Sequence, residues 1–477
     1  MNKDQFHVII VGGSIAGLTL AHCLHRAGIS HVVLEKASEP APQIGASIGI
    51  LPNGARVLDQ LQLYETIEKY IEPLETATIG YPDGFSFSSS YPKLVNERFG
   101  FPIAFLDRQK LLEILYQHYP DKSRIRLAAR VISIESSAID STVTTEDGTI
   151  YKGHLIVGAD GVHSRVRSEM WKSAQRIKPD LITKREQRSM TVEYSCIFGI
   201  STPIKGLNVG EQVNAFFDHF TIVTIHGKQG RVYWFLIQKL DRKYIYPQCP
   251  RFTAKEIGPI VNRLREQKFF KDITFGQLWD SRETASMTAL EENVFDTWYH
   301  GRMVLMGDSA HKMTPNIGQG ANMAIEDAAV LSSLLSDLLQ KRQTQPPTNT
   351  QIERLLAQYR EVRHPRVNSI YKTSRFLVRF QARDGVFNTL FGRYYAPHAG
   401  DLPADMASKT IAGGELCAYL PSPNRCCHGW DDYKNSGLGR MGTVWCILAL
   451  LLSALTWSCV GNMNIVMELS NRVPIER

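Results

Sequence analysis

The chain reads as α/β: a doubly wound, Rossmann-like domain interleaved with a domain built on antiparallel sheet, followed by a C-terminal transmembrane helix. Three observations predict this. Residues 6–35 run apolar strand, glycine turn, helix, second strand. Residues 191–240 are rich in aromatic and β-branched residues and read as antiparallel strands. A second strand–glycine turn–helix pattern occupies residues 303–331. Two nucleotide-type turns with a sheet between them imply one binding domain interrupted by another.

Phe6-His7-Val8-Ile9-Ile10-Val11 is apolar enough for a buried parallel strand. Gly12-Gly13-Ser14-Ile15-Ala16-Gly17 follows, then helical spacing from Leu18 to Ala27 that stops at Gly28, a C-cap. His31-Val32-Val33-Leu34 is the second strand and ends on Glu35. Glycine turn, helix N-terminus for a pyrophosphate and an acid for a ribose hydroxyl make a dinucleotide-binding unit. Ser14 stands where the second glycine of that motif is expected, and its small side chain still permits close approach. The small-residue loop Gly45 to Gly54 lets backbone approach a ligand. Asp107 is placed to cap a helix that starts at Arg108, whose guanidinium suits phosphate or flavin as well as solvent. Arg126–Ser133 and Ser141–Tyr151 alternate like strands around a turn containing Asp147-Gly148. His154 to Gly158 is another buried strand, ending in Asp160-Gly161 before a basic helix that begins near Arg165 and Arg167.

Strands are expected at Ser195–Ile200, Asn214–His226 and Arg231–Lys239, with a hairpin turn at Gly227–Gly230. Phe216, Phe217, Phe220, Tyr233 and Phe235 either floor an apolar pocket or pack the core. The strand Met303–Met306 then leads into Gly307-Asp308-Ser309-Ala310-His311-Lys312-Met313-Thr314-Pro315-Asn316-Ile317-Gly318-Gln319-Gly320-Ala321-Asn322 and the helical spacing of Met323–Leu331. A helix aimed from this turn offers free N–H groups and a positive dipole end. A reduced flavin needs such an end, because it carries negative charge on the N1–C2 carbonyl side. Lys341–Thr350 is a polar linker with Pro346-Pro347, and Ile352–Phe380 is a long basic helix interrupted near Pro365. The domain organisation is then 1–185, a cofactor domain with some insertions; 186–295, an antiparallel-sheet substrate domain; 296–395, the second cofactor part and its helices; 396–440, a loop-rich linker; and 441–460, a transmembrane helix.

Composition bounds the function. Of the 477 residues, 43% are hydrophobic and 21% charged, as in a globular protein, and the net charge of +7 is too mild for a nucleic-acid binder. The eight cysteines show no zinc-like pairing, so no metal site is expected and the compartment is reducing. No signal peptide precedes the first strand. Met441 to Val460 lacks any charge and is long enough to cross a bilayer. Lys434 and Arg440 precede it and Glu468 is the first charge after it, which leaves the body on the cytosolic side.

The glycine turn with Glu35, then Asp160-Gly161, then Gly307-Asp308, in this order, resembles the single-component FAD-dependent monooxygenases of the aromatic-hydroxylase type, over roughly residues 6–375. Gly45-Ala46-Ser47-Ile48-Gly49, Leu106-Asp107-Arg108-Gln109, Glu193-Tyr194-Ser195-Cys196-Ile197-Phe198-Gly199-Ile200 and the hydrophobic C-terminus resemble, more narrowly, the PaxM family of fungal membrane-associated enzymes of indole-diterpene and meroterpenoid pathways. The resemblance implies FAD as cofactor, with NADPH and O2 as co-substrates. It implies cofactor contacts at Gly12, Gly13, Ser14, Ala16, Gly17, Glu35, Lys36, Gly49, Arg108, Asp160, Gly161, Asp308, Pro315, Gly318, Gly320, Ala321 and Asn322. Glu35 would hold the adenosine ribose, Asp308 the ribityl chain, and Ala321 would lie by the flavin ring. The implied reaction is epoxidation of the terminal prenyl double bond of a prenylated precursor, ahead of a terpene cyclase, by a single-pass protein of the endoplasmic reticulum. Hydroxylation of a phenol, which a general base assists, is the alternative, and Tyr194 and His311 are the candidate bases. A flavin-linked prenyl reductase or a non-catalytic flavoprotein is a further alternative.

Overall fold

The computed structural model describes residues 7–43, 45, 47–137, 139–341, 347–425 and 427–434. Residues up to Trp430 form one unit; of the second, which begins at Asp431, only the end of the helix Gly429–Lys434 is described. The expected span 441–460 lies outside the described residues. Among those described, no helix is long and apolar enough to cross a membrane.

A six-stranded sheet carries the nucleotide-type turns. Its order is Tyr299–His300, Met303–Leu305, Leu155–Gly158, Val8–Val11, His31–Leu34, Ile125–Arg126. Every neighbour is parallel except the first pair, and Val8–Val11 and Leu155–Gly158 are buried throughout. That burial is why these segments read as unbroken apolar runs. Because the inner strands run the same way, their carboxyl ends bring Gly12, Glu35, Ala159–Gly161 and Met306–Asp308 to one edge, where open α/β sheets bind ligands.

The second sheet has eight strands in the order His311–Lys312, Arg282–Val294, Thr191–Ser201, Val232–Ile245, Phe220–His226, Glu211–Phe217, Thr76–Gly80, Ser86–Ser89. Two of its strands come from the first cofactor segment and one follows directly on the Gly307–Asp308 turn, so the two sheets are interleaved in sequence. One face packs against the helices Ala254–Leu264 and Phe275–Asp280 through Ile197, Trp234, Leu236, Val261 and Leu278. The other face presents Tyr194, Cys196, Ile237 and Leu290 to Val378 and Ala382.

Four local expectations are corrected. Asn214–His226 is a hairpin rather than one strand: Glu211–Phe217 turns back on Phe220–His226 at Asp218-His219, where His219 takes φ 69°. The long helix runs unbroken from Asn349 to Gln381 through Pro365. Arg363 and Arg366 on either side of the proline are bound by buried carboxylates, so tertiary contacts carry the helix past the lost N–H. Residues 396–440 include the helix Leu402–Ala412, whose Ala404, Ser408, Ile411 and Ala412 are buried at helical spacing. After it, the Cys417 backbone exchanges hydrogen bonds with the Gln60 side chain at 3.0 and 3.1 Å, and its thiol lies 3.7 Å from that of Cys23. Asp107, finally, stands at the N-cap position without capping; its carboxylate is used elsewhere.

Candidate active site

The first turn is held by Glu35. One carboxylate oxygen accepts the Gly13 N–H at 2.6 Å and the other accepts the Ala37 N–H at 2.8 Å. Gly17 meets the turn so closely that a Cβ there would lie 1.9 Å from the Gly12 carbonyl oxygen. Ser14 does not cap the helix Ile15–Arg26; its hydroxyl accepts from Arg108 at 2.8 Å. The first-turn N–H groups, which have no intrahelical acceptor, are thereby left to a ligand.

The second turn is held from behind. Gly307, at φ 58°, donates its N–H to Asp327 at 2.8 Å, and His311 is 2.7 Å from the same oxygen. Arg363 Nε donates to the other oxygen at 2.8 Å and its Nη1 to Glu326 at 2.5 Å. Glu326 takes two further bonds from Arg366 at 2.7 Å and one from Asn53, whose amide also reaches Gln319. Burial alone would push both acids up. Arg366 and Arg363 outweigh it for Glu326, and His311 and Arg363 hold Asp327 down at about 2. Two buried carboxylates and two guanidiniums thus balance behind the turn, which leaves Asp308 facing outward with its side chain 37% exposed and 2.5 Å from Lys312. Burial lowers Arg108, while the charges of Asp308 and Glu35 oppose that. The opposing pulls place Arg108 within the field of both acids.

Asn322 ties a third element to this edge. Its side chain accepts from Leu51 N–H at 3.1 Å and donates to the Gly49 and Gly318 carbonyls at 3.0 and 2.8 Å. The loop Pro315–Gly318, the strand Ser47–Ile50 and the start of the helix Gly320–Gln340 are therefore fixed together. Asp107 links them to the large sheet: its carboxylate accepts from Arg231 at 2.8 and 2.9 Å and from the Tyr233 hydroxyl at 2.9 Å. Side chains alternate along a strand, so Tyr233 and Phe235 share a face. That face also carries Phe198 and Tyr194; its Tyr233 end is tied through Asp107 to the cofactor edge, while Tyr194 is covered by Val378 and Ala382.

Of the remaining expected residues, Asp160 lies beside Gly12, but its carboxylate accepts from Ser164 Oγ, Arg165 N and Val166 N and so starts a helix. Tyr194 donates its hydroxyl to Asp384 at 2.9 Å, and burial together with that carboxylate raises it well above the usual phenol range. His311 is buried against Asp327. The sequence reading did not single out Asp327, Glu326, Arg363, Arg366, Asn53 or Gln319. One signal was available: Glu326 and Asp327 are the only charges between Gly320 and Ser336 in an otherwise apolar helix. Adjacent acids that must be buried need buried cations.

The residues fit a flavin dinucleotide. The glycine turn approaches too closely for side chains, a Cβ at Gly13 falling 2.8 Å from Glu35, and Gly161 and Gly320 open onto space with nothing within 4 Å. Comparisons with known proteins agree. The family model described as FAD binding domain matches residues 5–374. The FAD-dependent monooxygenase penM of Penicillium crustosum is 90% identical over 477 residues, covering all of both chains. The FAD-dependent monooxygenase paxM of Penicillium paxilli is 64% identical over 437 residues, 92% of each chain. A crystal structure of Klebsiella pneumoniae HpxO complexed with FAD and uric acid shares the fold, with a TM-score of 0.69 at 22% identity over 86% of this chain and 97% of that one. By its matched domain, its cradle for FAD and its near-identity to named relatives, the chain belongs to the FAD binding domain family and, within it, to the fungal FAD-dependent monooxygenases of the PaxM type.

Proposed function

We propose that this monooxygenase epoxidises the terminal prenyl double bond of a prenylated precursor, using NADPH and O2, in a meroterpenoid or indole-diterpene route and ahead of a terpene cyclase. The observation that carries this over phenol hydroxylation is the commitment of both candidate bases. Tyr194 already donates to Asp384, and His311 is buried on Asp327. An isolated alkene needs no base, whereas a phenol is helped by one. Phe198 and Phe235, half-buried on the cofactor-side face of the large sheet, suit a prenyl chain.

In this reading Glu35 holds the adenosine ribose, with Lys36 beside it. The N–H groups of the first helical turn, from Ser14 to Gly17, hold the pyrophosphate, and Arg108 and Gly49 contact the cofactor. Asp308 holds the ribityl chain, Pro315, Gly318, Gly320 and Ala321 line the ring, and the buried Asn322 fixes their backbone. Bound FAD, once reduced, supplies the activation of O2. The chain's own part is to hold the alkene against the aromatic face and exclude water. The body works at the cytosolic face of the endoplasmic reticulum, anchored by residues 441–460, where a lipophilic substrate partitions.

Mass spectrometry after incubation with NADPH, isotope-labelled O2 and prenylated aromatic substrates tests the proposal. One labelled oxygen on the prenyl terminus, opened to a diol by acid, is expected. Label on the ring would make the protein a hydroxylase instead.

A further inference from the structure

Five large apolar side chains that the fold leaves exposed lie in and beside the segment after the long helix: Phe376, Val386, Phe387, Leu390 and Tyr394, between 38% and 76% exposed. The segment is the short helix Val386–Leu390 followed by a π-helical turn, Phe391–Tyr395. Its rings form one array. Phe387 stacks on Phe391 at 5.7 Å, Phe391 on Tyr395 at 4.8 Å, and Phe391 meets Phe380 at 5.9 Å. From there Phe380 contacts Phe216 at 5.5 Å and Phe216 contacts Tyr81 at 5.7 Å. Register places Phe216 opposite Thr221 and Thr221 opposite Ile237, so the array ends on the cofactor-side face of the large sheet.

The charges beside this surface are paired with one another. Between Gly385 and Ala399 the only chargeable groups besides tyrosine are Arg393 and His398. Arg393 lies 5.3 Å over the Tyr394 ring and pairs with Asp83 at 2.8 Å, and Arg383 beside it pairs with Asp218 at 3.0 Å. Clustered exposed rings and aliphatics rimmed by paired charges mark an interaction surface, and Phe and Tyr in that setting suit the boundary between headgroups and acyl chains. The uncharged run 441–460, read as a span, would keep a bilayer next to this body, so the apolar phase at hand is lipid.

We propose that Val386, Phe387, Leu390 and Tyr394 form a second membrane contact, seated in the surface of a phospholipid bilayer. The array Phe391–Phe380–Phe216 then connects that contact to the face where the prenyl chain is held. The connecting role rests on the prenylated-substrate reading; the membrane contact does not.

The test uses the full chain with its cofactor, reconstituted into vesicles of phosphatidylcholine and phosphatidylserine. A photoreactive benzoyl-phenylalanine replaces Phe387, Tyr394 or, as a control, Ile177, which is 75% exposed on another helix. Flavin content verifies folding of each form. The expected result is a phospholipid adduct at 387 and at 394 and none at 177. Adducts to residues 435–477 would mean that the chain's own tail covers the surface, and adducts to a second copy would mean a dimer; either overturns the proposal. Equal lipid labelling at 177, or no adduct at 387 and 394, overturns it as well. Loss of the lipid adduct with epoxide formation intact would remove the membrane contact alone.

Discussion

At the first glycine turn the backbone is fixed from within one βαβ unit: Glu35 reaches back to Gly13 and forward to Ala37, and Gly17 packs on the Gly12 carbonyl. At the second, Gly307 is fixed by Asp327, which depends on Arg363 from a different helix, beside a Glu326 tied to Asn53 and Arg366. The two turns meet at the same sheet edge and present a carboxylate each. One is shaped by the absence of side chains, the other by three buried charges and the half-buried Arg366, which must balance. A local steric device tolerates change elsewhere, whereas an electrostatic one fails as a unit.

Breaking the charge balance has the largest expected effect. Arg363→Ala strands Glu326 and Asp327 without a shared cation, a loss on the order of 3–5 kcal/mol. Chemical denaturation should show it as a lower midpoint with unchanged slope. The same network sets a pH signature. Asp327 sits at about 2, below the ordinary value of 3.8. A carboxyl lowered by folding stabilises above its ordinary value and loses that contribution as pH falls through the folded one. Wild-type stability from this group is therefore complete above about pH 4 and drains toward pH 2. In Arg363→Ala the onset of acid unfolding should move to higher pH; an unmoved onset would mean that Arg363 is not what holds Asp327 charged.

The steric turn is attacked by Gly17→Ala. The new Cβ would fall 1.9 Å from the Gly12 oxygen, so strand and helix must separate. Overpacking of this kind costs about 1–3 kcal/mol. Flavin should be lost from the purified protein before the fold is. Retention of full flavin would show that the turn opens without disturbing the site.

The same contrast explains what the amino-acid sequence discloses. Strand, glycine turn, helix and Glu35 are contiguous, so spacing alone reveals both the element and its chemistry. Met303–Leu305 and the Gly307–Asp308 turn are legible for the same reason. The support of the second turn is not, since Asp327 and Arg363 meet only in the tertiary fold. Local pattern also misled where the fold overrode it. Pro365 does not interrupt its helix, because flanking arginines are held, and Asp107 leaves its cap for Arg231 and Tyr233. The hairpin at Asp218-His219 was hidden because its only cue is a short polar pair between two apolar runs.

A matched pair of carboxylate changes sharpens the comparison most. In Glu35→Gln the side chain keeps one acceptor but turns an amide toward one of its two backbone partners. It gives up a charge-assisted bond worth about 1.5–3 kcal/mol, part of which the surrounding turn absorbs. Stability falls modestly and FAD affinity with it, because Glu35 both shapes the turn and faces the ribose. Asp308→Ala separates those roles. Its side chain is over a third exposed and pairs with Lys312 four residues on, and the turn beneath is pinned by Asp327 rather than by Asp308 itself. Unfolding of the cofactor-free variant should therefore stay within about 0.5 kcal/mol of wild type, as for an ordinary surface change. Flavin fluorescence released by denaturation should nevertheless show that it carries almost no FAD. If Asp308→Ala instead unfolds early, the carboxylate belongs to the framework and not to the ligand, and the two turns differ less than their hydrogen bonds imply.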